Sequence, residues 1–198
     1  MIIAIIGYRR CGKDYLTQKL LELYNNSETS AKRFAFADPL KEYICDLMNI
    51  SREELEKLKE DINYTFTIGK KQYTMRKFLV TFANRLRQIF GDDIWAKATI
   101  ESMKKDNSNI KIISDMRFLI EYKTLKKFTE ESGEELFIIY LDSDLESCDK
   151  FNKDEKDIEK IPYNFKFFNT KDEKNFNSSL NKLIENINKI LCEQPKLF

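Results

Sequence analysis

The first sixteen residues, MIIAIIGYRRCGKDYL, contain the feature that most restricts how this chain can fold. Residues Ile2–Ile6 form an unbroken apolar run rich in β-branched side chains, and Gly7 ends it. Such a run indicates a strand that is buried on both faces, which is typical of parallel sheets covered by helices. The apolar residues after Lys13 recur at helical spacing, so that a helix follows the glycine-rich turn. The sequence therefore predicts an α/β protein with a parallel central sheet.

Strand and helix patterns alternate along the rest of the chain. Further strands are predicted at residues 33–37, 110–114, 136–141 and 165–168. Helices are predicted at residues 39–48, with Asp38 as N-cap, and at 75–90, 93–105, 118–133 and 180–191, together with a capping box at Ser51 and Glu54 and a hairpin within 64–74. This alternation predicts right-handed crossovers, and therefore three layers with the sheet in the middle.

The composition excludes several kinds of chemistry. A chain of 198 residues with 42% apolar residues is expected to fold as one domain with a sizeable core. It contains no histidine, which excludes Ser-His-Asp triads, Cys-His pairs and histidine-bound metals. Its 34 basic and 33 acidic side chains nearly cancel, so no overall field favours polymeric nucleic acid or a membrane surface as a partner.

The four cysteines are widely spaced along the sequence. Cys11, Cys45, Cys148 and Cys192 include no C-x-x-C pair, which argues against a disulfide framework or a zinc site and fits a reducing cytoplasm. The apolar start is too short to span a membrane and leads into a glycine-rich turn instead of a signal-peptide cleavage region. We therefore expect a cytoplasmic protein.

The motif GYRRCGK has the spacing G-x-x-x-x-G-K of a phosphate-binding loop. Gly7 and Gly12 let the backbone form a concavity whose N–H groups face phosphate oxygens at the start of a helix. Lys13 adds a charge that follows the β- and γ-phosphates. Arg9 and Arg10 support phosphate binding, although solvent exposure explains either arginine alone equally well. The alternative is a glycine-rich turn with a solvated lysine, and the strand and helix on either side favour the phosphate site.

A second group of candidate residues follows the predicted strand at 110–114. A carboxylate at the carboxyl edge of a strand beside such a loop is placed to bind a metal or a substrate, and Asp115 fits this position. Arg117 could form a fork to phosphate. The alternative is structural, with Asp115 capping the next helix and Arg117 pairing with Glu121 one turn later.

Four stretches of sequence together resemble a known family. They read GYRRCGKD, FAFADPLKEYI, MRKFLVTF followed by FGDDIW, and SDMRFLIEY. Their order and spacing are similar to those of the bacteriophage-type deoxynucleoside monophosphate kinases, over about two-thirds of the chain. Loops that read G-K-D resemble that family's own variant. Asp14, which stands where Ser or Thr usually holds Mg²⁺, therefore does not by itself remove the site.

The resemblance implies a fold, a reaction and its cofactors. The fold is a three-layer P-loop kinase in one domain, residues 1–198, with a core at 1–37 and 108–198, an acceptor-binding helical insert at about 38–107 and a short lid at about 142–163. The reaction moves the γ-phosphoryl group of ATP to a deoxynucleoside monophosphate with Mg²⁺, so the expected partners are small nucleotides. A homodimer is compatible with this reading.

The resemblance also assigns roles to individual residues. ATP phosphates are bound by Gly7, Arg10, Gly12, Lys13, Asp14 and Tyr15. The acceptor is bound by Lys41, Arg76, Arg87, Trp95, Asp115, Arg117 and Glu121. The catalytic residues are Lys13, Asp115 and Arg117, and the Mg²⁺ ligands are Asp14, Asp115 or water. Two alternatives stay open, since Arg87 could lie on the solvent face of its helix and Trp95 could be a core residue.

Several positions depart from the family pattern. Tyr15 replaces a threonine and leaves no hydroxyl ligand for Mg²⁺, while Val80, Ala83 and Asn84 fall on the Q-x-x-G-T stretch and Ile120 on an asparagine. The lid segment contains no arginine, and its lysines lack the planar fork that clamps two phosphate oxygens. These lysines are Lys150, Lys153, Lys156 and Lys160.

Two other functions are compatible with the sequence. One is a P-loop kinase for a different small phosphorylated acceptor, such as phosphomevalonate or a coenzyme A precursor. The other is a nucleotide-binding protein without turnover, which the missing lid arginines, Tyr15 and the altered central helix favour. The high content of Lys, Asn and Ile fits an AT-rich genome, and a viral protein acting in the host cytoplasm is one such case.

Overall fold

The structure is a computed structural model that describes residues 1–149 and 156–193. The chain divides into a first unit, within Met1–Ala35 and Met103–Phe198, and a second unit, Phe36–Ser102. Lys150 and Lys153 of the predicted lid lie outside the described residues. The insert expected at about 38–107 overlaps the second unit, and its role in acceptor binding stays a prediction.

The helices and strands alternate largely as the sequence predicts. In chain order they are β1 (Ile2–Ile6), α1 (Lys13–Tyr24), β2 (Ala31–Phe34), α2 (Asp38–Met48), α3 (Arg52–Glu60), β3 (Thr65–Ile68), β4 (Lys71–Thr74), α4 (Met75–Phe90), α5 (Ile94–Lys104), β5 (Ile110–Met116), α6 (Leu119–Ser132), β6 (Leu136–Ser143), β7 (Phe165–Asn169) and α7 (Glu173–Glu193). A short 3-10 helix, Ile158–Lys160, precedes β7.

The first unit is built on a five-stranded sheet with the order β2-β5-β1-β6-β7. All four strand pairs are parallel, and Ile6 of β1 lies opposite Met116 on one side and Tyr140 on the other. The chain leaves β1 toward β2 and β5, and it leaves β6 toward β7. The connections therefore diverge between β1 and β6, which is where open parallel sheets bind ligands at the carboxyl ends of their strands.

Helices cover the sheet, and this confirms the α/β class with a parallel central sheet. Ile3 and Ile5 face a core that α1 and α7 complete with residues such as Leu20 and Leu183. The alternate residues of β1 point to the opposite face and are also fully buried. No helix within residues 1–149 or 156–193 has both the length and the apolar character needed to cross a bilayer.

Some element boundaries differ from the predicted ones. β2 ends at Phe34, and β5 continues two residues past its predicted end to include Met116. α7 begins at Glu173, seven residues earlier than predicted, because Phe176 packs edge-to-face on Phe167 of β7 and extends the buried face. Asp38 was predicted to cap α2 but is its first residue, and its carboxylate accepts a hydrogen bond from Arg52 at 2.6 Å.

The second unit has a core of its own. Its fully or largely buried side chains come from α2, α3, α4 and α5, and they are Leu40, Ile44, Leu55, Met75, Phe78, Leu79 and Trp95. The predicted hairpin is present as β3 and β4, which turn at Gly69. Ser51 caps α3 by accepting a hydrogen bond from the Glu54 N–H, as the capping box predicts. The Gly91 N–H bonds Arg87 O and ends α4, also as predicted.

Candidate active site

The loop between β1 and α1 needs glycine at two positions. Gly7 has φ +153°, and a Cβ there would lie 2.5 Å from the carbonyl oxygen of Leu141. Gly12 has φ +96°, and a Cβ there would lie 2.2 Å from the side-chain nitrogen of Asn169. Arg10 also has a positive φ of 62°, which is unusual for a residue with a side chain. The loop is therefore folded tightly against the carboxyl ends of β6 and β7.

Three successive carbonyl oxygens of this loop, at residues 9–11, accept hydrogen bonds from that same side. The donors, in order, are the N–H of Asp149 at 3.0 Å, the hydroxyl of Ser147 at 3.2 Å and the side-chain amide of Asn169 at 2.8 Å. In a trans peptide the carbonyl and the following N–H point in opposite directions. The N–H groups of residues 10 and 12 therefore point away from these donors, in the direction that an anion-binding concavity requires.

Lys13 begins α1 and returns its side chain to the loop. Its Nζ donates hydrogen bonds to the carbonyl oxygens of Gly7 at 2.7 Å and Tyr8 at 2.8 Å, and the residue is only 8% exposed. The ammonium group and the amino end of the helix thus bring positive charge to the same place. The ammonium group therefore lies within the glycine-rich loop, and its role in binding phosphate stays a prediction.

The region predicted as a lid packs on this loop in the part that the structure describes. Cys11 is disulfide-bonded to Cys148, 137 residues away in sequence. The hydroxyl of Tyr8 donates a hydrogen bond to Glu159 at 2.7 Å, and Ile158 is fully buried. The sequence argued against a disulfide framework, and for this one pair that expectation is wrong. The spacing of the cysteines in the sequence does not indicate this pairing, because Cys11 and Cys148 come together only when β1 and β6 pair in parallel.

Asp115 and Arg117 flank the start of the loop. They are the neighbours of Met116, which lies opposite Ile6 in the β1–β5 pairing. The structure therefore brings these two predicted residues beside the loop. Glu121 is 4% exposed, and its Oε2 accepts hydrogen bonds from the N–H of Arg117 at 2.8 Å and of Phe118 at 3.0 Å. Glu121 thus fixes the backbone at the start of α6, and its role in acceptor binding stays a prediction.

Asp14 and Asp115 are the acidic residues of the first unit that the sequence assigns to Mg²⁺. Mg²⁺ is commonly held by one or two carboxylates together with substrate phosphates and water, so these two side chains fit the ion chemically. Tyr15 is half-exposed, and its ring packs against Phe176 of α7 at 5.2 Å between centroids. The Tyr15 side chain therefore packs on α7. A contact between Tyr15 and ATP phosphates would have to come from its backbone N–H, in the first turn of α1.

Glu56 of α3 lies at the centre of a group of ion pairs in the second unit. Lys41 pairs with it at 2.6 Å, the Nε of Arg52 approaches it at 3.4 Å, and Lys59 also bonds it. Partial burial alone would raise the pKa of Glu56, but the hydrogen bonds from Lys41 and Lys59 outweigh this and lower its pKa from 4.5 to about 2. Glu56 is therefore charged at neutral pH.

Ion pairs link this group on α3 to Lys41 of α2 and to Arg76 of α4. Lys59 approaches Glu60 at 3.6 Å, and Glu60 pairs with Arg76 at 2.8 Å. Lys41 and Arg76, both predicted from the family resemblance, therefore belong to one connected set of charges. We call this set the ion network, and its members are Asp38, Lys41, Arg52, Glu56, Lys59, Glu60 and Arg76.

Sequence reasoning missed three residues that the structure brings to these sites. Arg52 and Lys59 sit among charges at i, i+3 and i, i+4 spacing on α3, a pattern that usually marks a solvated helix face. Asn169 directly follows the strand predicted at 165–168 and is the last residue of β7. The signal that could have identified Asn169 is the position of a polar amide residue at the carboxyl end of a buried parallel strand, where ligand-binding loops meet the sheet.

Arg87 and Trp95 were assigned to the acceptor by resemblance, and the structure gives each a local partner. Arg87 is half-buried on α4 and its guanidinium lies 3.5 Å from the side-chain oxygen of Asn84. Trp95 is 7% exposed, and its ring nitrogen donates to Ala83 O at 3.4 Å. The structure thus places Trp95 in the core, which the sequence allowed as its alternative. The acceptor roles of both residues stay predictions.

A model of the phosphomevalonate kinase family matches residues 5–131. The match covers more than half of the chain and includes the glycine-rich loop, Lys13, Asp115, Arg117 and the whole second unit. The chain belongs to the phosphomevalonate kinase family. No curated protein matches the chain.

Membership in this kinase family establishes the class of reaction. The chain is a phosphotransferase, and the family implies ATP as the phosphoryl donor. The residues expected to bind ATP phosphates, from Gly7 to Tyr15, lie in the matched stretch. The match does not single out a deoxynucleoside monophosphate as the acceptor, because the family is named for a different phosphorylated compound.

The contact between Asn169 and the loop yields the first prediction. Asn169→Ala removes the amide that holds the carbonyl of Cys11, and losing such a buried hydrogen bond costs about 1–3 kcal/mol. If the loop is thereby released, ATP affinity should fall about ten-fold, which corresponds to roughly 1.4 kcal/mol. Isothermal titration of the purified protein with ATP and Mg²⁺ measures this.

Asn164→Ala is the matched control. Asn164 immediately precedes β7, the strand that Asn169 ends. Its side-chain oxygen accepts a hydrogen bond from the Ile138 N–H at 2.8 Å, at the amino end of the sheet. This variant should lose stability but keep the wild-type affinity for ATP. Equal losses of affinity in both variants would show that Asn169 acts on stability alone.

The ion network yields a prediction about pH. Because the folded-state pKa of Glu56 is lowered, its contribution to stability is fully present above pH 4.5 and is lost as the pH falls from 4.5 to about 2. The unfolding free energy of wild type should therefore decrease more over this range than that of Glu56→Gln. Urea unfolding at a series of pH values measures it. Glu53→Gln, which changes an exposed carboxylate of the same helix, should behave as wild type.

Proposed function

We propose that this kinase transfers the γ-phosphoryl group of ATP to the phosphate of a small phosphomonoester, and that the acceptor is a deoxynucleoside monophosphate. The observation that carries the proposal is the ion network, which joins Lys41 and Arg76 through Glu56, Lys59 and Glu60. Both residues correspond to acceptor-site positions in the deoxynucleoside monophosphate kinases that the sequence resembles.

The first unit supplies the groups that bind ATP. The loop N–H groups and Lys13 neutralise phosphate charge, and Arg117 adds a planar fork for phosphate oxygens. Phosphoryl transfer depends on positioning and positive charge far more than on covalent chemistry. The absence of histidine therefore removes no group that this reaction requires. Mg²⁺ would be held by Asp14 and Asp115, and when bound it neutralises negative charge on the phosphates.

The second unit supplies cations for the acceptor phosphate. Lys41, Arg52, Lys59 and Arg76 outnumber the three carboxylates of the network by one charge. An acceptor phosphate carries between one and two negative charges at neutral pH, so it competes with Glu56 for the same donors. Arg52 offers a bidentate guanidinium, and Lys41 and Lys59 act as point charges. The network therefore has both the charge and the donors that a phosphomonoester needs.

An exposed aromatic pair supports a base as part of the acceptor. Tyr43 is 54% exposed on α2, and its ring stacks on Phe82 of α4 with centroids 5.8 Å apart. A planar base can stack on such a ring, whereas a ringless acceptor gains little from it.

Phosphomevalonate is the second candidate acceptor, and the family match is the observation that favours it. It bears a carboxylate besides its phosphate, and the four cations of the ion network could bind both groups. It has no ring to stack on Tyr43. The two candidates therefore differ in how much they depend on the aromatic pair and how much on the cations.

Coupled ADP release tests the proposal. The protein, with ATP and Mg²⁺, is offered dTMP, dGMP, dCMP, dAMP, the ribonucleotides and phosphomevalonate in turn. We expect turnover with at least one deoxynucleotide and its loss in Lys13→Ala, since that variant lacks the loop ammonium. Turnover with phosphomevalonate alone would replace the proposed acceptor. ATP binding without turnover on any acceptor would instead support a non-catalytic nucleotide-binding protein.

A pair of lysines on α3 tests the acceptor site separately. Lys59 is 20% exposed within the ion network, and Lys57 is 73% exposed and pairs with Glu53 outside it. Lys59→Ala should raise the KM for the acceptor about ten-fold, the effect of losing one charge-assisted hydrogen bond of roughly 1.5 kcal/mol, and leave the KM for ATP unchanged. Lys57→Ala should change neither value. An equal effect of both substitutions would place the acceptor phosphate elsewhere.

A further inference from the structure

The disulfide lies inside the phosphate-binding loop itself. Cys11 is fully buried, one residue before Gly12 and two before Lys13. Cys148 is half-buried in the segment after β6, between Ser147 and Asp149, which both donate hydrogen bonds to the loop. The other two cysteines of the described chain, Cys45 and Cys192, are free thiols. The covalent link therefore joins the loop to the segment that already holds its carbonyl groups.

We propose that Cys11 and Cys148 form a reversible thiol–disulfide modification site, and that the disulfide keeps the loop in the shape that binds phosphate. This inference concerns the ATP side of the protein and is independent of which acceptor is used. In the oxidised form the loop is pre-organised for ATP. In the reduced form the loop keeps its hydrogen bonds and its packing but has no covalent link.

The physical reason lies in how the loop carbonyls are held. The bonds to the carbonyls of residues 9 and 10 come from Asp149 and from the hydroxyl of Ser147, and both donors belong to exposed residues. Water competes with bonds at such positions. Arg10 also adopts a positive φ, which costs free energy for a residue with a side chain. Without the covalent link, the loop therefore spends part of its time in shapes whose N–H groups are no longer aligned.

The chemistry requires an external disulfide or dithiol. On oxidation, the thiolate of Cys148 attacks a small disulfide such as oxidised glutathione, whose S–S bond breaks and releases one thiol. The sulfur of Cys11 then attacks Cys148 Sγ, loses its proton and expels the second thiol. Two protein thiols become one disulfide, and the small disulfide becomes two thiols. A dithiol reductant reverses both steps. Cys148 is the entry point because it is the more exposed of the pair.

Titration of the full chain with ATP in two redox states tests the inference. One sample is treated with oxidised glutathione and the other with dithiothreitol, and peptide mass spectrometry under non-reducing conditions identifies the linked cysteines. Oxidised wild type should contain the Cys11–Cys148 link and bind ATP about ten-fold more tightly than reduced wild type, the gain expected if the reduced loop is competent about a tenth of the time. Cys148→Ser should show the affinity of reduced wild type in both samples.

Cys192→Ser is the matched control, because it removes an exposed free thiol on α7 and should follow wild type in both samples. Absence of the Cys11–Cys148 link after oxidation would overturn the inference. Equal ATP affinity in the two redox states of wild type would also overturn it, and would leave the kinase proposal intact. Redox-dependent ATP binding combined with no turnover on any acceptor would support this inference and count against the proposed function.

Discussion

The parallel pairing of β1 with β5 on one side and with β6 on the other determines where the reactive groups of the first unit lie. Because the carboxyl ends of parallel strands share one edge, residues distant in sequence meet there. Met116 and Tyr140 both lie opposite Ile6, so that Asp115, Arg117 and the segment after β6 all border the glycine-rich loop. The loop takes its shape from these neighbours as much as from its own glycines.

The local periodicity of apolar residues is sufficient to predict most helices and strands of the fold. The apolar runs of the inner strands, the helical spacing of α4 and the turn at Gly69 each reflect interactions within a few residues, so the sequence alone predicts them. The bond from Asn169 to Cys11 joins residues 158 positions apart, and the Cys11–Cys148 disulfide has a similar separation. No local pattern encodes such contacts, because they exist only once the strand order is set.

The second unit shows the same limit in a different form. The family resemblance pointed to Lys41 and Arg76, yet it could not show that Glu56 and Lys59 connect them. In the sequence, α3 consists mostly of acidic and basic residues, and this pattern is also typical of a helix whose surface faces solvent. Trp95 shows a different limit, since a residue that the resemblance assigns to the acceptor is largely enclosed by the unit's own core, which was the alternative that the sequence left open.

The close approach of Gly12 and Asn169 has a consequence for how this sequence can change. A side chain at position 12 would meet the amide of Asn169, and the positive φ of Gly12 disfavours one in any case. A smaller residue at 169 would relieve only the first of these constraints. The two positions should therefore not drift independently during evolution. Relatives that keep the asparagine are bound to keep the glycine, whereas a relative that loses the asparagine also loses the hydrogen bond that holds the carbonyl of Cys11.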